Sequence, residues 1–299
     1  MNILILGGTK FFGKKLALDM AKKGHNVTVF SRACPVKDLP KQINQIKGLR
    51  GDLSALQNTK WDAVFDNICY NAAQMREAVK TFTGNTKHYI LMSSGDVHLA
   101  VKGAKSPFSE TLAHKLPPLK KADAYGQGKY EAETTLIKSD LPYTIVRLPI
   151  IVGPGDPKDR LAVYLRDILN GAPVILPDGS KYKRRFIYVD DAARALTLVI
   201  QNRARVKGKT LHFGGEVITL KQFVKLCYKF CGKKENTINM PYAKLKKLKY
   251  DAAARNPYFN PFDYVLKLTN ANKLLNWKPT PIQKWLKDTI LTHNKQFSA

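Results

Sequence analysis

Cysteine is sparse in this chain. Cys34, Cys69, Cys227 and Cys231 show none of the pair-of-pairs spacing of a metal site. Cys227 and Cys231 stand four apart and can face one another on a helix, but two thiols make a poor metal site, so no metal is expected. With 299 residues, 44% of them hydrophobic, a full core forms without a covalent staple. Reduced thiols in a cytoplasmic protein are the expectation. Long apolar runs are missing too. Ile3-Leu4-Ile5-Leu6 gives four apolar residues before Gly7, too few for a signal-peptide core or a membrane span, and no other stretch reaches spanning length. There is no internal repeat, low-complexity stretch or clear linker, so the parts of the chain are expected to interleave. Acidic residues are scarce: 23 Asp and Glu face 50 Lys and Arg, a formal net charge of +27. Such a balance favours contact with RNA, DNA, anionic lipid or phosphorylated substrates and says nothing about fold. The lysines are scattered in ones and twos, the pattern of a solvated basic surface.

What is present is an alternation. Residues 3–6 form an apolar run ending in glycines. Phe12, Leu16 and Met20 follow at helical spacing, and Gly24 is a helix stop. His25 to Phe30 reads as a second strand, so the first thirty residues make one βαβ unit. Further strands are expected at 46–50, 63–68, 89–92, 144–148 and 210–213. This pattern predicts an α/β fold, a Rossmann-type doubly wound parallel sheet with helices on both faces. Residues 1–152, continued by about 185–216, form the expected nucleotide-binding part. Residues 153–184 and 217–299 form a smaller, interleaved substrate-binding part. Gly-Pro-Gly-Asp at 153–156, Ala172-Pro173 and Pro177-Asp178-Gly179 suggest an irregular excursion from the sheet over 153–184.

Gly7-Gly8-Thr9-Lys10-Phe11-Phe12-Gly13 lies between the first strand and first helix, where a pyrophosphate-binding turn sits. Backbone N–H groups and the positive end of the helix dipole point at phosphates, and glycine lets the chain approach them. The second strand ends in Phe30-Ser31-Arg32, without the carboxylate that accepts hydrogen bonds from a ribose 2′-hydroxyl. Arg32 and Lys10 favour a 2′-phosphate, hence NADP over NAD. Asp52, followed by Leu53, is placed to reach the adenine edge or to cap a helix.

Tyr125 and Lys129 stand four apart, on one face of a helix. The lysine favours phenolate, whose ordinary pKa of about 10 must fall several units for base chemistry near neutrality. Ser94 closes the strand Ile90-Leu91-Met92-Ser93-Ser94 at the edge where open α/β sheets place their sites. Serine, tyrosine and lysine thereby converge on one substrate oxygen.

Almost end to end the chain resembles the extended short-chain dehydrogenase/reductases, the NAD-dependent epimerase/dehydratase family. The match is carried by Gly7–Gly13, Asp52, the segments 92–97, 125–129, 146–156 and 186–192, and Asn276-Trp277-Lys278-Pro279. The resemblance implies an oxidoreductase or isomerase acting on a hydroxyl-bearing, nucleotide-linked sugar. It implies Tyr125 as general base, Ser94 as its hydroxyl partner and Lys129 on the nicotinamide ribose. Pro149 would line the nicotinamide, Ser94 and Asp96 the substrate, and Arg184 would contact a substrate diphosphate. Two departures stand out: Gly95-Asp96 replaces the acidic pair of the dehydratases, and Asn260 replaces a second arginine, for which Arg255 or a nearby lysine would have to compensate. The loop also looks like that of the chloroplast stem-loop RNA-binding branch, which lacks the Tyr-x-x-x-Lys pair kept here. RNA is therefore the alternative partner. Tyr242 to Tyr250, with Lys244, Lys246, Lys247 and Lys249 between aromatics, is its candidate site, or else an amphipathic surface helix. A homodimer stays open.

Overall fold

A computed structural model describes residues 1–297, with the side chains of 252–253 and 294–297 excepted. The chain divides into two units. Unit 1 comprises Met1–Pro149, Asp190–Phe213 and Lys267–Lys278; unit 2 comprises Ile150–Val189, Gly214–Leu266 and the chain from Pro279 onward. Lys267–Lys278 returns to the first unit, although its sequence position groups it with the second.

Unit 1 is built on a seven-stranded sheet. Its strands are β1 (Asn2–Leu6), β2 (Asn26–Ser31), β3 (Ile43–Lys47), β4 (Ala63–Asp66), β5 (Tyr89–Ser94), β6 (Tyr143–Leu148) and, after three strands of unit 2, β10 (Lys209–His212). The order is β10-β6-β5-β4-β1-β2-β3 and every pairing is parallel. Ile3 to Leu6 and all of Tyr89–Ser94 are buried, because helices cover both faces and leave no polar alternation in the central strands. Crossovers include α1 (Phe11–Lys22), α2 (Ala72–Phe82) and α3 (Ala124–Ile137). One core gathers Leu4, Phe30, Trp61, Phe82, Tyr89 and Ile145. The chain direction reverses between β1 and β4, and the crevice outside their carboxyl ends is where such sheets bind ligands.

The third strand lies at 43–47, three residues before the expected 46–50. It is an edge strand with Asn44, Gln45 and Lys47 turned partly or fully to solvent, so its apolar signal is weak. Gly48 ends it by letting the backbone pass against the Phe30 ring, where a Cβ would overlap the ring.

Unit 2 holds a sheet of β7 (Ile150–Val152), β9 (Lys183–Tyr188) and β11 (Val217–Thr219), and a pair of β8 (Val174–Pro177) with β12 (Thr237–Met240). The stretch expected to be irregular contains α4 (Arg160–Leu169), with Leu161, Ala162, Tyr164, Leu165 and Ile168 buried on one face. Helical periodicity outweighs the flanking Gly and Pro, which mark only its ends. Its core is aromatic, with Tyr164, Phe186, Phe223, Tyr258 and Trp285 together. The helix Leu220–Phe230 packs there behind a Thr219–Gln222 capping box.

Candidate active site

At the carboxyl edge of unit 1 the chain leaves β1 through Gly7, whose φ of 81° is the left-handed region and whose N–H donates to the Phe30 carbonyl at 2.9 Å. A Cβ on Gly13 would overlap the Gly7 carbonyl oxygen, so turn and helix are pressed together as phosphate access requires. Phe11 takes a φ of 51°, uncommon for an aromatic residue, and turns the chain from Lys10 into α1. Lys10 gives no side-chain cap and the first turn holds no acid. The leading N–H groups of α1 thus present an uncapped positive end, with the exposed Lys10 ammonium beside it. Phe12 packs edge-on against Phe11, ring centroids 6.0 Å apart. The buried Thr9 hydroxyl meets Ser31 Oγ at 3.3 Å, tying the turn to the end of β2, while Arg32 stands exposed next to it.

Asp52 accepts a hydrogen bond from Ser54 N at 3.0 Å, which holds its carboxyl below the usual range. It therefore caps a short turn while remaining exposed, and Leu53 is fully buried behind it.

A cluster not singled out from the sequence ends β4. Asp66, fully buried, accepts from Arg50 Nε at 3.3 Å, from Arg50 Nη2, from Tyr89 Oη and from Ile68 N. Burial works against the Arg50 charge, but Asp66 overrides it and holds the guanidinium above its ordinary pKa. Arg50 Nη1 and Asn67 Oδ1 are buried with no hydrogen-bond partner, and Asn67 Nδ2 donates to the Gly7 carbonyl. Orphaned polar atoms beside the glycine turn call for a polar ligand. With the uncapped helix end and the glycine clearance, they fit a dinucleotide. Arg50 directly before Gly51-Asp52, and Asp66 closing an apolar strand, were the available signals, since a buried charge needs a partner.

Ser94 ends β5, nearly buried, its Oγ accepting from Asp96 N at 3.1 Å. Tyr125 and Lys129 sit on α3, capped by Asp123, whose carboxylate accepts from Tyr125 N and Gly126 N. Lys129 is buried, and its Nζ donates to the Met92 carbonyl at 2.8 Å. Nζ lies 5.9 Å from the Tyr125 ring centroid and 4.9 Å from that of Tyr70, a second residue the sequence did not flag. The Tyr70 and Tyr125 rings are 6.4 Å apart. Burial lowers the Lys129 pKa. Burial, then Asp66, raises that of Tyr70, with Arg32 opposing. Helix α3 comes this close because of two glycines. A Cβ on Gly126 would stand 2.8 Å from the Asp96 carbonyl oxygen, and one on Gly128 would overlap the Tyr70 carbonyl. Pro149 is buried immediately after β6, whose register pairs Leu148 with Ser94. Ser94, Asp96, Tyr125, Lys129 and Pro149 thus share one edge with the glycine turn.

In unit 2, Arg184 is buried. Its Nη1 donates to the Tyr258 carbonyl and Nη2 to that of Asn260 at 3.4 Å, while Nε has no partner. Burial lowers its pKa to about 10. Arg255 is exposed. Tyr242–Lys247 is a short helix with Leu245 buried, Lys244 and Lys247 exposed and Lys246 over the Tyr242 ring. Among the described residues no three His, Cys, Asp or Glu gather to hold a metal, and no helix is long and apolar enough to cross a membrane.

Residues 3–214 match the sequence profile of the NAD dependent epimerase/dehydratase family. The chain belongs to that family. It is similar to the chloroplast stem-loop binding protein of 41 kDa b of Arabidopsis thaliana, 26% identical over 93% of this chain and 75% of the relative. It is similar also to a UDP-D-apiose/UDP-D-xylose synthase of Oryza sativa subsp. japonica, 24% identical over 78% of this chain and 67% of the relative. In fold it matches UDP-glucose 4-epimerase of Thermotoga maritima, solved with UDP-glucose, with a TM-score of 0.77 and 20% identity over 99% of this chain and 100% of that one. Family membership makes the chain an enzyme of the NAD-dependent epimerase/dehydratase type, on the Rossmann scaffold seen in unit 1.

Proposed function

We propose that this enzyme binds NADP(H) in preference to NAD and oxidises a hydroxyl of a nucleotide-linked sugar, transiently as an epimerase or with net turnover as a reductase. The observation that supports the reading is that Ser94 and the Tyr125–Lys129 pair lie on the sheet edge that also holds the uncapped end of α1. The nicotinamide, when bound, supplies a hydride acceptor and donor. Gly7 to Gly13 would hold the pyrophosphate, Ser31 and Arg32 the 2′-phosphate, Asp52 and Leu53 the adenine edge, and Pro149 the nicotinamide face. Ser94 donates a hydrogen bond to the reacting oxygen, and Tyr125 takes its proton. Lys129 keeps positive charge 5.9 Å from the Tyr125 ring and so favours phenolate over phenol. Asp96 and Arg184 belong to the substrate's side of the reading, and a cytoplasmic setting with reduced thiols goes with it.

Fluorescence titration with NADPH and NADH, repeated on Arg32→Ala, tests the cofactor. Tight NADPH binding that the substitution weakens selectively is expected; equal loss for both nucleotides would remove Arg32 from the 2′-phosphate. Tyr125→Phe should lower turnover at least about 100-fold with cofactor affinity unchanged.

A second reading is favoured by the resemblance to a stem-loop binding protein and by the +27 charge: RNA binding on the same scaffold. It requires a steep salt dependence, insensitivity to Tyr125→Phe, and loss on neutralising Lys244, Lys246 and Lys247.

A further inference from the structure

A cavity of about 490 Å³ lies in unit 1 at the opposite edge of the sheet from the glycine turn. Tyr143 opens β6 and Lys209 opens β10, so the cavity mouth is at the amino ends of parallel strands whose carboxyl ends lead toward Ser94 and Pro149. Three lysines, Lys115, Lys209 and Lys273, line it from three separate segments of chain, and all three are exposed. None forms an ion pair among the described residues. The apolar surfaces of Tyr143 and Leu274 line it as well.

The walls are held by directed bonds. Glu110 accepts from Asn270 N at 2.8 Å, and Asn270 Nδ2 donates to the Thr210 carbonyl at 2.8 Å. Arg147 Nη1 donates to the Glu110 carbonyl at 2.9 Å, and Gly208 N to the Tyr143 carbonyl at 2.7 Å. His114, on the cavity wall, is braced by Glu133 Oε2 at 2.6 Å and stacks on Tyr130. Glu133 is in turn paired with Arg147, so its charge is neutralised inside the fold. Glu110 is the acid left to offset the three lysines, which leaves the cavity net positive.

We propose that this cavity is a second binding site, for a small phosphorylated molecule with an aromatic or apolar body. Its volume falls within the range of small-molecule sites, roughly 300–1,000 Å³. Lysines act on phosphate as mobile point charges, each bringing three donors. Tyr143 and Leu274 offer the body a surface that inorganic phosphate cannot use. The site shares no residue with the proposed cofactor and substrate groups, and it stands whether or not the proposed reaction is correct.

The test is calorimetric titration of the full chain with phenyl phosphate and, separately, inorganic phosphate. Expected are one site per chain for phenyl phosphate, weaker binding of inorganic phosphate, and at least about 30-fold loss in the Lys115→Glu/Lys209→Glu/Lys273→Glu variant. These side chains are exposed, so the variant should keep the wild-type circular dichroism and its nicotinamide cofactor affinity. A Lys10→Glu/Arg32→Glu variant, altered at the other edge, should bind phenyl phosphate as wild type does. No binding, or loss confined to the Lys10/Arg32 variant, overturns the site. Equal affinity for the two phosphates overturns the aromatic or apolar body.

Discussion

Gly13 and Gly128 each do a job that a single methyl group would undo. Gly13→Ala places a Cβ on the Gly7 carbonyl oxygen and should abolish nicotinamide nucleotide binding in a fluorescence titration, with the far-ultraviolet spectrum retained. Gly128→Ala places one on the Tyr70 carbonyl, pushing α3 away from the loop beside it. Turnover should fall more than stability there, because Lys129 is the next residue and its Nζ depends on reaching Met92. Unchanged kcat in that variant would mean that the Lys129 contact does not position the reacting groups. Glycines inside the Tyr-x-x-x-Lys segment were visible in the sequence, but the reason for them was not: each needs a partner backbone more than fifty residues away or, for Gly126, thirty. Arg50 and Asp66 escaped notice for a related reason. A charge is read as solvated until the fold buries it, and nothing local announces that Tyr89 and Ile68 will complete the carboxylate's shell.

Helix α3 carries both proposed chemical groups in its first two turns, so its amino end matters more than its middle. Asp123→Ala removes the acceptor for two N–H groups and should cost about 1 kcal/mol in denaturant unfolding. A larger proportional loss in kcat than in cofactor affinity is expected, since Tyr125 sits in the frayed turn. Among the elements, the strongly periodic and fully apolar ones were legible: β1, α1, β2, β5 and β6 stand within a residue or two of where alternation puts them. The polar edge strand β3 was placed three residues late, and helix α4 was read as irregular, because exposure in the one and nearby Gly and Pro in the other mask the period. The order of the family residues pointed to the sheet edge that holds Ser94, Tyr125 and Lys129, whereas Tyr70 lies in a loop with no motif to mark it.

For the whole molecule, three buried histidines make stability depend on mild acid. Burial lowers His88 to about 4, with Arg203 and Lys207 adding to it. Burial and then Arg147 lower His98 to about 3 and push His212 well down. Each folded value lies below the ordinary 6.5, so the neutral form is the one the fold holds. Their contribution is complete above about pH 6.5 and is lost as pH falls toward 4 and 3. Each ring that stays neutral in the fold while its unfolded counterpart takes up a proton steepens the decline by about 1.4 kcal/mol per pH unit. Urea unfolding at pH 7.5, 6.0 and 5.0 should show the decline before most carboxylates titrate, and His98→Gln, which leaves His88 and His212 in place, should reduce its slope by about a third. A constant free energy from 7.5 to 5.0 would show these rings to be solvated.

Unit 1 is assembled from three separate stretches of chain, and the last of its seven strands arrives only at residue 212. During synthesis, therefore, a nascent chain stopped short of Lys209 carries a sheet whose β6 edge is bare, although in the finished protein that edge is covered along Thr144 to Arg147. Vulnerability to sticking and to proteases should peak in this interval on the ribosome and end once β10 has emerged and docked.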